Sequence, residues 1–373
     1  MILHTDIPTR AQVTGLFAAR DTASVSIYLP TSPASRGDAE RIELGNLRSE
    51  AERQLRESGI AKREVAAIDE AVSDVIDDGE LWRYLARSLA VFVTPETLTT
   101  FRLPNHLVSL VEVSDRFHLK PLLRAVTFPQ VAFVLALAQG SVRVLEVAPE
   151  LEPFELAVED LPRDVASAAG TSSIADRAPK RRVQGSEGQK LRMRQYARQV
   201  DHALRPLLSG LDIPLILAAA EPMDSIYRSV NSYPHLATTS IPGNPETTGD
   251  ADLVESARRV LDELHADELR RITELYELRR SQRRASADIV DVARAATYGL
   301  VDTALVDIDA VVPGLVDEES GTVTFDATDD AVNYGVVDEI ARRVWLTGGR
   351  LLAVRREDVP GGGDVAAILR ADV

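Results

Sequence analysis

The chain has 373 residues, a length that is too large for one ordinary hydrophobic core and predicts two or three domains. Its 45% hydrophobic and 27% charged residues are globular values, which exclude a disordered chain. The absence of cysteine excludes disulfide bridges and thiolate zinc sites, and the formal net charge of −16 argues against indiscriminate nucleic-acid binding.

An α+β domain is predicted for residues 1–124. The segment SVSIYL alternates in polarity as a strand does, and two helices follow over about 37–57 and 61–77. The apolar face of the first helix is predicted to hold Ile42, Leu44, Leu47, Ala51 and Leu55. Three strand candidates come next, SLAVFVTPE, TTFRL and LVSLVEV, with Pro, Thr and Asn between them.

A middle α/β domain is predicted for residues 125–284. It opens with two β-rich runs that meet at a tight turn at Gln139-Gly140, and LEPFELAV is a third strand candidate. Residues 162–189 lack periodicity and predict a long loop, a feature that is usually functional in compact domains.

A helix is predicted to follow this loop from Lys190. Its apolar positions are Leu191, Met193, Tyr196, Val200, Leu204 and Leu207. IPLILAAAEP predicts a buried strand bounded by prolines. A long linking helix is predicted over about 251–284, with Asp250 as its N-cap.

Residues 285–373 alternate between helix and strand. The order is helix (ADIVDVARAATYG), strand (VDTALVDID), acidic turn, helix (ending in DEIARRVWLTG), strand (GRLLAVRRE), glycine turn and strand (VAAILR). This alternation predicts a compact three-layer α/β/α domain.

Several motifs carry no specific chemistry. PGGGD (360–364) lacks the Lys-Ser/Thr ending of a phosphate loop and is interpreted as a turn. The six histidines show no metal-ligand spacing, and Ser186 and Ser232 lack a nucleophile-elbow context. We therefore expect no metal site and no cofactor.

Targeting signals are also missing from the sequence. The N-terminus does not read as a signal peptide, and the longest apolar runs are far shorter than the roughly 18 residues that cross a bilayer. The expectation is a cytoplasmic protein with no membrane partner.

One stretch, APKRRVQGSEGQKLRMRQYARQ (178–199), concentrates positive charge. The segment from Arg177 to Arg205 contains nine basic and two acidic residues, which gives it a formal charge of +7. Such segregation favours a polyanionic partner, because phosphate contacts release counterions. The candidate nucleic-acid-binding residues are Lys180, Arg181, Arg182, Lys190, Arg192, Arg194 and Arg198.

The loop also carries glycines and a glutamine that suit positioning chemistry. Gly185 and Gly188 permit backbone conformations that other residues resist, and would let a loop tip present Gln189. Gln189 is no general base, but it could orient a water molecule. From the residues alone, a basic surface loop without chemistry is an equal alternative. The arginines of the long helix are interpreted as a solvated face, with an RNA-facing stripe as the alternative.

The chain resembles the bacterial relatives of the archaeo-eukaryotic class-one release factors and of Pelota-type rescue factors. The likeness has three parts. TASVSIYLPT…RIELGNLRSEAERQL is similar to the start of the family's N-terminal domain, and GSEGQKLRMRQYAR resembles its Gly-Gly-Gln loop and Arg-rich helix. DIVDVARAATYGLVDTALVDID…DEIARRVWLTGGRLLAVRRED is similar to its third domain.

The resemblance implies three domains: a middle one of ribonuclease-H-like topology, and a C-terminal one like kink-turn-binding ribosomal proteins. It also implies a tRNA-shaped protein that enters the ribosomal A site. Its partners would be the ribosome, peptidyl-tRNA and a translational GTPase, without DNA. Gly188 and Gln189 match the last two positions of the catalytic tripeptide, and Glu187 replaces its first glycine. The Asn-Ile-Lys-Ser and Tyr-Cys motifs that read stop codons are missing.

Two functions of different classes follow. The first is a codon-independent peptidyl-tRNA ester hydrolase in ribosome rescue, in which Gln189 and Gly188 are the catalytic residues. The second is a non-catalytic ribosome-binding rescue or hibernation factor. Glu187 favours the second function, and Gly188-Gln189 favours the first. A third alternative is a repurposed protein without ribosome contact.

Overall fold

The structure is a computed structural model that describes residues 3–127, 130–149, 151–168, 186–326 and 335–371, with the backbone alone at 186 and 187. The chain divides into two compact units. Unit 1 holds residues 1–3 and 130–264, and unit 2 holds residues 4–129 and 265–373, as far as each is described. The three-domain boundaries stay a prediction, and both outer segments fall within unit 2.

The helices and strands confirm the predicted mixed α/β class. The helices are α1 (Arg10–Ala18), α2 (Asp38–Glu57), α3 (Lys62–Asp77), α4 (Lys120–Thr127), α5 (Val165–Ala168), α6 (Ser186–Leu208), α7 (Met223–Val230), α8 (Asp250–Ser281), α9 (Ile289–Thr297) and α10 (Val336–Leu346). The strands are β1 (Ser24–Pro30), β2 (Ser88–Val93), β3 (Leu98–Leu103), β4 (Leu110–Ser114), β5 (Ala132–Leu137), β6 (Val142–Val147), β7 (Phe154–Glu155), β8 (Leu215–Ala218), β9 (Ala285–Ser286), β10 (Val301–Asp307), β11 (Gly314–Val316), β12 (Val323–Phe325), β13 (Arg350–Val354) and β14 (Val365–Leu369).

The N-terminal part of unit 2 is an antiparallel sheet of order β3-β2-β1-β4. Its odd β1 positions, such as Val25 and Ile27, lie in a core with apolar residues of α2 and α3. Tyr28 and Phe92 face the opposite side. Because both faces are covered, nearly every β1 residue is buried, including the serines of the alternating pattern.

The C-terminal part of unit 2 is a second sheet, of order β13-β10-β14-β9. Strand β10 runs parallel to β13 and antiparallel to β14. Helices α9 and α10 share the core on one face, and Ile272 and Tyr276 of α8 share the core on the other. This packing agrees with the predicted three layers. The likeness to kink-turn-binding ribosomal proteins stays a prediction.

The two parts of unit 2 share one hydrophobic core. Phe17 and Leu122 of the N-terminal part belong to the same buried cluster as Val292 and Trp345 of the C-terminal part. The indole Nε1 of Trp345 donates to Thr14 Oγ1 at 2.9 Å. The guanidinium of Arg10 lies 4.6 Å above the indole ring, and Lys120 donates to the carbonyl of Ala310.

A buried carboxylate joins the same two parts. Glu339 of α10 accepts from Arg343 at 2.7 Å, from Arg342 at 2.7 and 2.8 Å, and from Arg116 at 3.1 Å. Burial by itself would raise the pKa of Glu339, but the hydrogen bonds and charges of Arg342 and Arg343 outweigh it and hold that pKa below its usual value. The carboxylate therefore stays ionised, and its contribution to stability is lost only as the pH falls through this lowered pKa.

Unit 1 is built on a sheet of order β7-β6-β5-β8. Strand β5 is antiparallel to β6 and parallel to β8. Leu253, Ala257 and Leu261 of α8 share a core with the strand residues of one face. The hairpin predicted at Gln139-Gly140 is confirmed, since the Ala138 amide donates to the Ser141 carbonyl at 2.9 Å. The ribonuclease-H-like topology stays a prediction.

Several details differ from the sequence-based expectations. Ile42 and Leu191 were placed on apolar faces, but they are 70% and 67% exposed. The third strand, β7, has only two residues, and α7 was not predicted. Asp250 is the first residue of α8 rather than its N-cap, and it pairs with Arg143 at 2.8 Å.

Replacing Glu339 by Ala is expected to lower the free energy of unfolding of unit 2 by about 3–5 kcal/mol, because buried guanidinium groups lose their carboxylate. Urea unfolding followed by tryptophan fluorescence measures this, since Trp82 and Trp345 both lie in unit 2. The control is Asp267→Ala, which removes an exposed pair with Arg270 and should cost less than about 1 kcal/mol. Equal losses in the two variants would contradict a stabilising role for the Glu339 cluster.

Candidate nucleic-acid interface

Helix α6 has an apolar side that is buried and a basic side that is exposed. Met193, Tyr196 and Val200 have at most 1% of their surface accessible. Lys190, Arg194 and Arg198 are exposed, and their spacing of four residues places them on one side of the helix. We call these three residues the basic stripe.

The cations of the basic stripe have no ion-pair partner in the part of the chain that the structure describes. In the described part of the chain, no carboxylate lies within ion-pair distance of Lys190, Arg194 or Arg198, whereas Arg205 pairs with Asp201 at 2.9 Å. Arg192, another predicted binding residue, is only half-exposed. A row of unpaired cations on a protein of net charge −16 attracts phosphate to this one surface.

Two arginines of α8 have ion-pair partners in the same helix. Arg270 pairs with Asp267 at 2.6 Å, and Arg280 lies 3.7 Å from Glu277. Arg271 is exposed and has no ion-pair partner among the described residues, so the solvated face and the RNA-facing stripe both stay open as interpretations.

Gly188 and Gln189 lie in the first turn of α6 and not in a loop. The prediction that the loop extends to residue 189 was therefore wrong at its end. The helix starts earlier because Ser and Glu, the residue types at 186 and 187, are favourable at a helix N-terminus. Lys180, Arg181, Arg182 and Gly185 lie outside the described residues.

The side chain of Gln189 contacts the β5–β6 hairpin. Its Nε2 donates to Oε1 of Gln139 at 3.2 Å. Next to this contact lies an open pocket of 330 Å³ lined by Leu137, Ala138, Gln139, Met193, Ala220, Glu221, Pro222, Met223, Asn244 and Glu246. Sequence reasoning found the Gln139-Gly140 turn but gave it no functional role, and no local pattern pointed to Asn244 or Glu246.

The connection between β8 and α8 is fixed against the hairpin. The amide of Gly140 donates to Glu246 Oε1 at 2.7 Å, and Arg143 donates to the carbonyls of Pro245 at 2.8 Å and Thr248 at 3.2 Å. A Cβ at position 140 would lie 2.8 Å from Oε1 of Glu246, so a larger residue there would make the Glu246 side chain shift. The position of Glu246 is thus set by backbone contacts.

A neutral phenol lies beneath the same region. Tyr196 is fully buried, and its hydroxyl has no hydrogen-bond partner among the described residues. Burial raises the pKa of Tyr196, and the charges of Asp164 and Glu246 raise it further. The phenol therefore supplies no base for chemistry near neutral pH.

Metal and membrane sites were also sought. Within the described ranges, His, Asp and Glu side chains form no group of three that could hold a metal ion. None of the described helices is both long and apolar enough to span a bilayer.

Comparison with solved structures gives broad overlaps at low identity. The archaeal translation termination factor aRF1 is 15% identical over 98% of this chain and 99% of its own, with a TM-score of 0.26. Dom34 of S. cerevisiae is 13% identical over 77% of this chain and 80% of its own, with a TM-score of 0.44. Archaeoglobus fulgidus Pelota is 12% identical over 99% and 95%, with a TM-score of 0.32. No curated protein matches.

The sequence family gives the more specific result. The predicted resemblance to release factors agrees with a match to a release-factor family model. Residues 129–267 match the model of bacterial archaeo-eukaryotic release factor family 11. This segment contains the basic stripe, Gln189 and the pocket.

The helical state of Gly188 has a direct test. Gly188→Ala is expected to stabilise the start of α6 by about 0.5–1 kcal/mol, because Ala loses less backbone entropy than Gly in a helix. Hydrogen exchange at the amides of residues 190–192, which bond to the first helical carbonyls, should slow by roughly twofold to fivefold, the same free energy expressed as a rate. Gly45→Ala in α2, where a Cβ meets no atom within 4 Å, is the matched control and should slow exchange at 49–51 similarly. Faster exchange in Gly188→Ala alone would contradict a helical Gly188.

Proposed function

We propose that the protein is a cytoplasmic, release-factor-like translation factor that binds the ribosome at its A site in ribosome rescue. The observation that carries the proposal is the basic stripe, which lies within the segment that matches the release-factor family. Stop-codon decoding is not part of the proposal, because the sequence lacks the motifs for it.

The charge distribution supports a defined orientation on RNA. The chain carries a formal charge of −16, so most of its surface is repelled by phosphate. The basic stripe spans about 12 Å of helix, at 1.5 Å of rise per residue, and offers three exposed cations that have no ion-pair partner among the described residues. RNA binding through α6 therefore gains free energy from the release of counterions.

The geometry supports a binding factor more strongly than a hydrolase. Gln189 lies in a helical turn with its amide donating to Gln139, and is not presented at the tip of an extended loop. In the sequence, Glu187 replaces the first glycine of the tripeptide, and a carboxylate is repelled by RNA phosphate. We therefore propose non-catalytic binding as the primary activity.

Peptidyl-tRNA ester hydrolysis is the second candidate. It is favoured by the match of Gly188 and Gln189 to the last two residues of the catalytic tripeptide. In that reaction Gln189 would orient a water molecule and a backbone amide would stabilise the oxyanion. A translational GTPase as delivery partner is proposed from the family resemblance alone.

Ribosome binding tests the primary proposal. Arg194→Gln with Arg198→Gln should reduce co-sedimentation with purified ribosomes by about tenfold or more. The slope of log affinity against log salt concentration should become shallower by about two, because two phosphate contacts are lost. The control is Arg53→Gln with Arg56→Gln, which removes the same charge from exposed α2 arginines that are paired with glutamates. The proposal fails if wild-type protein does not sediment with ribosomes, or if the two double variants lose binding equally.

Peptide release separates the two candidates. Ribosomes carrying labelled peptidyl-tRNA and an empty A site are mixed with the wild type or with Gln189→Ala. A binding factor releases no more peptide than buffer does, in either form. If the wild type releases peptide and Gln189→Ala lowers the release rate by about 10²-fold or more, the protein is a hydrolase. Loss of one positioned transition-state contact lowers a rate by about this factor.

A further inference from the structure

The pocket beside Gln189 combines an apolar floor with a polar rim. Leu137, Met193 and Met223 are buried floor residues with at most 3% of their surface accessible. The rim consists of Gln139, Glu221, Asn244 and Glu246, all of them exposed. An apolar slot with a few converging polar groups is the usual form of a small-molecule or base site.

The rim side chains keep unused hydrogen-bonding groups. Gln139 accepts through Oε1, which leaves its amide nitrogen to donate. Asn244 accepts from the Glu246 amide at 3.2 Å through Oδ1, which likewise leaves a donor. Glu246 accepts from Gly140 through Oε1 and Glu221 from Ser225 at 2.7 Å through Oε1, so each keeps a second carboxylate oxygen.

These groups select what can enter. Two carboxylates repel a phosphate, but they accept hydrogen bonds from an exocyclic amino group, as carboxylates do from the N4 amine of cytosine. The amide donors suit the neighbouring ring nitrogen or carbonyl, and the thioether floor suits a flat ring face. Unpaired bases of RNA are recognised through this combination of ring-face contact and edge hydrogen bonds.

The surroundings place phosphate-binding groups next to the pocket. Met193, on its floor, lies between Lys190 and Arg194 of the basic stripe in the sequence of α6. A helix turns by about 100° per residue, so Lys190 is only about 60° around the helix from Met193, one turn earlier. A nucleotide whose base enters the pocket would therefore have its phosphates within reach of the stripe.

We propose that this pocket binds an unpaired RNA base carrying an exocyclic amino group, with Glu246 as the acceptor that selects it. The proposal rests on the RNA contact of the proposed function and adds base selectivity to it. Cytosine is the sharpest probe, because uracil has the same ring size with a carbonyl acceptor in place of the amine.

The experiment measures the affinity of the full chain for oligo(rC) and oligo(rU) of equal length at one salt concentration. The wild type should prefer oligo(rC) by roughly five- to tenfold, the low end of the discrimination that one good base contact supplies. In Glu246→Gln, whose Oε1 can still accept from Gly140, the preference should fall below about twofold or invert, because an amide donor then meets the amine. Glu255→Gln, the same charge change at an exposed position of α8, is the matched control and should keep the preference.

Two further variants separate selectivity from general RNA affinity. Gly140→Ala keeps every charge but forces the Glu246 carboxylate away from its present position, so it should weaken the preference as Glu246→Gln does. Arg194→Gln with Arg198→Gln should weaken both oligonucleotides to the same extent and leave their ratio unchanged.

Equal wild-type affinity for the two oligonucleotides, no binding of either, or an unchanged preference in Glu246→Gln would each overturn the proposal. These measurements use no ribosomes, so their failure can be distinguished from a failure of the proposed A-site role. A base preference lost in Glu246→Gln, in a protein that does not sediment with ribosomes, would leave the pocket assignment standing and remove the A-site role. Ribosome binding without a base preference would support the A-site role and overturn the pocket assignment.

Discussion

The fold requires that both faces of each four-stranded sheet be covered by other parts of the chain. In unit 2 the N-terminal sheet covers one face with α2 and α3, and its other face lies in the core that it shares with α9 and α10. The N- and C-terminal segments are therefore not independent bodies, and Trp345 and Glu339 join them by a hydrogen bond and ion pairs. In unit 1 the same requirement buries the apolar side of α6, which leaves its basic side exposed.

This requirement also explains which expectations from the sequence were right. Periodicity found α2, α3, β2, β5, β10 and β14, since buried strands and amphipathic helices repeat their pattern locally. Periodicity was wrong for Ile42 and Leu191, which fit the apolar pattern of their helices but are exposed to solvent. The shared core of unit 2 was not predictable, because Thr14 and Trp345 meet across more than 300 residues of chain.

The candidate site was predictable only where it depends on local composition. The cluster of basic residues, Gly188 and Gln189 stand out in the sequence, and the family match covers Lys190 to Arg198. The pocket is lined by four segments that are distant in the sequence: 137–139, 193, 220–223 and 244–246. Contacts between distant segments leave no periodicity or spacing in the sequence. Nothing in the sequence therefore distinguishes Glu246 from the other carboxylates.

The charge distribution and the helical structure of α6 indicate that its first turn and its later turns have different roles. The first turn holds Gln189 against the hairpin, and the next two turns expose the basic stripe. Hydrolysis by Gln189 would require that turn to unwind, with the loss of its helical hydrogen bonds and of the contact to Gln139. Isolated helical turns are only marginally stable, so RNA bound along the stripe could supply the free energy for that change. Whether the first turn stays folded would then decide whether a chain bound through the basic stripe can also react.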